Sequence, residues 1–74
     1  SKLQEFTQGV DRLLPEYRLV SVSGPSHQPL FVVDVYLESR LLARGEGRTK
    51  KEAEQNAAEG GIKLLSKERS DGLG

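Results

Sequence analysis

Seventy-four residues set the chain at one domain, whose small core buries roughly 60% of the surface the unfolded chain exposes. Apolar residues at 35% and charged residues at 30% describe a small soluble globule, not a disordered tail. Eleven basic and eleven acidic residues cancel, which argues against a general polyanion sponge, while zero Cys and one His exclude a disulfide framework and a zinc site.

Leu3, Phe6, Val10, Leu13 and Leu14 recur at helical spacing and predict an amphipathic first helix from about Lys2 to Arg12, ended before Pro15. Its opposite face carries Ser1, Gln4, Glu5, Gln8 and Arg12. Gln4 and Gln8 are one turn apart and could hydrogen-bond hydroxyls or base edges in a groove; a plain solvated face is the other reading. Tyr17 to Ser23 is β-branched and bounded by Pro15 and Gly24-Pro25, which predicts a strand. A turn-rich connector, Gly24 to Pro29, holds Ser26 and His27. Leu30 to Leu37 is the strongest strand signal: Phe31, Val33, Val35 and Leu37 share one face, and Val32, Asp34, Tyr36 and Glu38 share the other. After a short turn at Glu38-Ser39-Arg40, Leu41 to Arg44 forms a third strand that fades into Gly45 and Gly47. Short connectors make the three an antiparallel meander.

Thr49 followed three residues later by Glu52 is a capping box, so a second helix starts at Lys50 and runs to about Leu65 or Ser66. Thr49 accepts from the amide of Glu52, and Glu52 is expected to reach back to the amide of Thr49. Arg48, Lys50 and Lys51 crowd the positive end of the helix dipole, which costs a few tenths of a kcal/mol unless an anion binds there. They are either a solvated helix end or a phosphate site. Gly60 and Gly61 fall inside the helix, where each costs about 1 kcal/mol relative to Ala. Either close packing requires them or the helix is bent or weak there. Lys67 to Gly74 reads as a flexible polar tail, which places the domain at 1–66. The fold class is α+β, in the order α-β-β-β-α, with two helices on one face of a three-stranded antiparallel sheet.

No catalytic constellation emerges. Gly45-Glu46-Gly47 lacks the third glycine and the strand–helix–strand context of a nucleotide loop. There is no Cys nucleophile, and His27 has no consistent Ser and Asp partners. No metal site and no small-molecule substrate are expected. No apolar run approaches membrane-spanning length.

Pro15-Glu16-Tyr17, Gly24-Pro25-x-His27, Phe31-x-Val33, Gly45-x-Gly47-x-Thr49-Lys50-Lys51-x-Ala53 and Ala57-Ala58 together resemble the double-stranded RNA-binding domain, over roughly residues 1 to 66. Leu3-Gln4-Glu5-Phe6-Thr7-Gln8 with Lys50-Lys51-Glu52-Ala53-Glu54-Gln55 is similar in particular to the C-terminal domain of bacterial ribonuclease III. The resemblance implies shape-based binding of RNA duplexes at three places. Gln4, Glu5 and Gln8 match a minor-groove element, Ser1 is counted with the RNA-binding residues, and Ser26 and His27 match a loop that enters a second minor groove. Arg48, Thr49, Lys50 and Lys51 match a helix start that sits on phosphates across the intervening major groove. Glu54 departs from the family, standing where many members carry a third basic residue. The chain begins at Ser1 and holds no Met, so a piece of a longer protein is expected. The resemblance implies a cytoplasmic ribonuclease III parent, a homodimer through its catalytic domain, with a divalent cation such as Mg2+ needed only there and no cofactor in this chain. The alternative is a domain of the same fold that pairs proteins and binds little RNA.

Overall fold

The computed structural model describes residues 2–5 and 13–73. Residues 2–5 are helical and form the described turn of the first helix, α1. Three strands follow, β1 (Glu16–Ser23), β2 (Leu30–Leu37) and β3 (Arg40–Gly47), then a long helix, α2 (Lys50–Leu73). The sheet is antiparallel in the order β1-β2-β3. The order α-β-β-β-α is therefore the one the sequence predicts. Expected residues Ser1, Phe6, Gln8, Val10 and Arg12 lie outside the described residues.

The alternation of β2 explains the core. Val33 and Val35 are fully buried on the helix side, with Leu37 close behind. Leu3, Val35, Leu37, Leu42, Ala57 and Ala58 form one cluster, so the described turn of α1 and the length of α2 cover the same face of the sheet. β3 reaches that face by a bulge: Val35 pairs with Ala43 and Tyr36 with Leu41, which leaves Leu42 as the extra residue. Leu42 turns inward and is 7% exposed, whereas Leu41 stays at the surface. Leu13 packs against the core as its place on the apolar stripe requires, but Leu14 is 62% exposed. Residues 13–15 are not helical, and the clash that Pro15 imposes on its predecessor turns Leu14 away.

Two boundaries differ from the sequence reading by more than one residue. β3 extends through Gly45 and Gly47, which pair with Val33 and Phe31. Glycine weakens a strand by propensity, but here it permits contact. A Cβ on Gly45 would sit 2.2 Å from the Ala57 nitrogen and 2.3 Å from the Ala53 oxygen, so the helix backbone lies directly on the strand. Gly60 answers to the same constraint, since a Cβ there would come within 2.9 Å of the Ala43 methyl. Close packing thus explains Gly60, whereas a Cβ on Gly61 would meet only the side-chain ends of Leu3 and Leu42, the nearest at 3.2 Å. The second difference is the end of α2, which continues to Leu73, so residues 67–73 are helical where a frayed tail was expected. Arg40, at the start of β3, makes a bidentate ion pair with Glu68, its Nη1–Oε1 contact 2.9 Å, and ties the extension to the sheet.

Replacing Gly45 by Ala should destabilise the domain by about 3 kcal/mol, because the obstructing atoms are backbone and cannot rotate away. Gly72→Ala meets nothing within 4 Å and should be neutral or stabilising by up to about 1 kcal/mol. Urea unfolding of the two variants beside the parent measures the contrast; an equal midpoint for Gly45→Ala is the outcome the backbone contact forbids.

Candidate functional site

The start of α2 is built by local hydrogen bonds. Thr49 Oγ1 accepts from the Glu52 amide at 3.0 Å, and the Thr49 carbonyl accepts from the Ala53 amide at 3.0 Å. Glu52 closes the box one residue earlier than expected: its Oε1 accepts from the amide of Arg48 at 3.1 Å, not from that of Thr49. Gly47 lets β3 lie tight against Glu52, where a Cβ would come 2.8 Å from the Glu52 Cβ. Asn56 then donates from Nδ2 to the Glu46 carbonyl at 2.6 Å, so the second turn of the helix is stitched to β3. A helix that is capped and stitched in this way holds its first turn in a fixed direction.

Arg48, Thr49, Lys50 and Lys51 are all exposed at that end. Among the described residues, Lys50 and Lys51 have no carboxylate partner. Two unneutralised ammonium groups at the positive end of a 24-residue helix make a strong local attraction for an anion. Arg48 is used differently. Its Nη1 donates to the carbonyl of Pro29 at 3.2 Å, at the end of the connector between β1 and β2.

Ser26 and His27 are exposed on that connector. Gln28 donates its amide to the Pro25 carbonyl at 2.9 Å and closes the turn beneath them. Gln4 and Glu5 are exposed on the described turn of α1, beside the fully buried Leu3. A Cβ on Gly61 would lie 3.2 Å from Leu3 Cδ2, which seats this turn over the middle of α2. Lys2, on the same turn, lines a groove together with Lys51, Glu54 and Gln55 of α2. The structure thus brings the connector beside the start of α2 through Arg48, and the turn of α1 reaches the same helix along the groove shared by Lys2 and Lys51. Ser1 and Gln8 lie outside the described residues.

The opposite face of the sheet carries charges that sequence reasoning did not single out. Arg44 grips Asp34 with two hydrogen bonds, Nε to Oδ1 at 2.7 Å and Nη2 to Oδ2 at 3.0 Å. Asp34 is only 6% exposed, because it sits on the central strand between β1 and β3. Arg18 lies 4.3 Å over the Tyr36 ring and pairs with Glu16. The alternation of β2 placed Asp34 and Tyr36 together on this face; the cross-strand partners needed the register. Among the described residues no group of three or more His, Asp or Glu could hold a metal ion, and no helix is long and apolar enough to cross a membrane.

The hydrogen bonds from Arg44 hold the Asp34 carboxyl below its ordinary range; burial pushes the other way, and the charge of Arg44 adds to the lowering. A depressed folded pKa means that the pair stabilises the fold fully above the unfolded value, about 3.9, and that this stability is lost as pH falls through the folded value. Asp34→Asn should therefore lower the melting temperature at pH 7 and flatten its decline between about pH 5 and pH 2. A variant whose acid limb runs parallel to the parent's shows that the pair carries no such linkage.

Residues 1–65 match the family model described as the double-stranded RNA binding motif. Ribonuclease 3 from Dehalococcoides mccartyi is 52% identical over 58 residues, which span 78% of this chain and 24% of that protein. Ribonuclease 3 from Aquifex aeolicus is 56% identical over 64 residues, 85% of this chain and 28% of that protein. The chain thus spans about a quarter of the length of the curated relatives it matches. Among solved structures, the first dsRBD of protein HYL1 superposes with a TM-score of 0.70 at 38% identity, over 92% of this chain and 96% of that one. The second dsRBD of DRB4 superposes with a TM-score of 0.55 at 38% identity, over 90% of each chain.

Proposed function

The chain belongs to the double-stranded RNA-binding motif family, and from that membership we propose that it binds RNA duplexes by their shape. The observation that carries the reading is the capped, exposed start of α2 with two cations that have no carboxylate partner among the described residues. Duplex RNA has a deep, narrow major groove that side chains cannot read, edged by phosphates, and a shallow minor groove lined with 2′-hydroxyls. Lys50 and Lys51 suit the phosphates, with the helix dipole adding to their charge. Gln4 and Gln8 can each donate and accept, and Glu5 can accept, which suits 2′-hydroxyls in one minor groove. Ser26 and His27 reach a second. Ser1 is assigned to the first contact with the glutamines. Domains of this type span about 16 base pairs with little sequence preference.

The relatives extend the proposal to the longer protein. In a ribonuclease III, this domain would hold the duplex for a catalytic domain elsewhere in the protein. That domain would carry the divalent cation and the dimer interface, in the cytoplasm.

A gel shift with a 20-base-pair RNA duplex and its DNA equivalent is the direct test, with retention of RNA over DNA expected. Retardation of neither, together with self-association, would point to a protein-pairing module. Lys50→Ala and Lys51→Ala should each weaken binding to any duplex sequence and lower the slope of affinity against salt by about one. An unchanged slope in the double variant removes the phosphate role.

Discrimination rests on different residues. Phosphates are common to RNA and DNA, so Lys50 and Lys51 sense only groove width, and the 2′-hydroxyls must be read by the minor-groove groups, Gln4, Glu5, Gln8 and His27. Replacing both with Ala should weaken RNA binding while barely changing weak DNA binding, so that the two affinities converge. Equal proportional losses for the two polymers would reduce the first helix to a general docking surface.

A further inference from the structure

The connector between β1 and β2 is held closed from three sides. Gly24 adopts a φ of +83°, and a Cβ there would come within 2.7 Å of the Gln28 carbonyl, so the bend admits no other residue without strain. The Gln28 amide closes the turn on Pro25. The third restraint is tertiary: Arg48, between the end of β3 and the cap of α2, donates its guanidinium to the Pro29 carbonyl. Arg48 is itself anchored, because Glu52 takes its amide. One side chain thus bridges the loop carrying His27 and the helix start carrying Lys50 and Lys51.

We propose that Arg48 is a positioning residue: it sets the spacing between the His27 loop and the cationic start of α2, so that both meet one duplex without rearrangement, and it takes no phosphate itself. This rests on the duplex-binding reading above. A duplex is stiff, with fixed distances from the phosphates of one groove to the sugars of the next. Two contacts on elements that moved independently would pay for ordering at every encounter. A guanidinium suits the bridge because its planar, preorganised fork loses little freedom on bonding. The assignment also separates Arg48 from its neighbours, since among the described residues Lys50 and Lys51 have no partner and Arg48 has one.

Binding of the 20-base-pair RNA duplex is measured across a range of salt for the parent, Arg48→Ala, His27→Ala and the double variant, with Lys51→Ala as the phosphate control. Arg48→Ala is expected to bind about fivefold more weakly, the equivalent of about one net hydrogen bond, with the salt slope of the parent. In the His27→Ala background it should cost almost nothing further, because the loop it positions no longer contributes. In the free protein, the Gln28 amide should exchange with solvent faster in Arg48→Ala than in the parent. A salt slope lowered by about one, as in Lys51→Ala, with losses that add to those of His27→Ala, would make Arg48 a phosphate ligand and overturn the proposal. Parent-like binding by Arg48→Ala, or unchanged Gln28 exchange, would overturn it as well. If the parent itself fails to retain the duplex, the duplex-binding reading falls and the positioning role falls with it, and accelerated Gln28 exchange in Arg48→Ala then marks a purely structural bridge.

Discussion

The backbone contact between β3 and α2 sets everything around it. At Gly45 the strand has no side chain, and the backbone of Ala53 and Ala57 occupies the space a Cβ would take. Ala53 and Ala57 are fully buried there, so neither side of the contact can grow without separating the two elements. Contact this close leaves the helix one seat, and Asn56 bonding to Glu46 holds it along the strand. Farther along, Gly60 against Ala43 and Gly61 against Leu3 keep the same closeness to the bulged part of β3 and to α1. Cores are densely packed, so a seat defined by backbone atoms fixes direction more firmly than one defined by side chains that can change rotamer.

That seat determines where charge appears. The chain is neutral, yet its charges are not evenly mixed. Asp34 is spent on Arg44, Glu16 on Arg18 and Glu68 on Arg40, across the outer face of the sheet and the far part of α2. Glu52 turns back to the Arg48 amide and so completes the cap. Lys50 and Lys51 are left at the helix start, and α2 points its positive end the same way. A neutral protein thereby presents a local cationic end, whose reach is limited to about 8 Å at physiological salt. Such an end favours an anion of fixed geometry brought close over polyanions in general.

The two ends of α2 play different parts. Its start is capped, stitched to β3 and bridged to the connector through Arg48. Its far end projects past the core and is tied to the sheet by the Arg40–Glu68 pair, exposed at both partners. Exposed pairs contribute little to stability, so the far end is free to vary without disturbing the site.

The sequence by itself determined the order of elements, because each is written in local terms. Period-two alternation marks β2, the Thr49–Glu52 spacing marks the start of α2, and Pro15 and Gly24-Pro25 bound β1. The motifs at Gly45 to Ala53 carried the family as well, since they combine a cap, a close contact and a charge cluster in nine residues. What only the tertiary structure decided are the relations between residues far apart in the chain. Glycine at 45 and 47 looked like the end of a strand, because propensity is blind to the helix that needs the space. For Gly60 the sequence left close packing and a weak helix as equal readings, and the Ala43 methyl decides for packing. Arg48 looked like one more cation of a basic run until Pro29, 19 residues away, received its guanidinium. Local spacing encodes where an element begins and which face is apolar; it holds no record of which distant backbone atom a side chain will reach, and that is settled only when the helix takes its seat on the sheet.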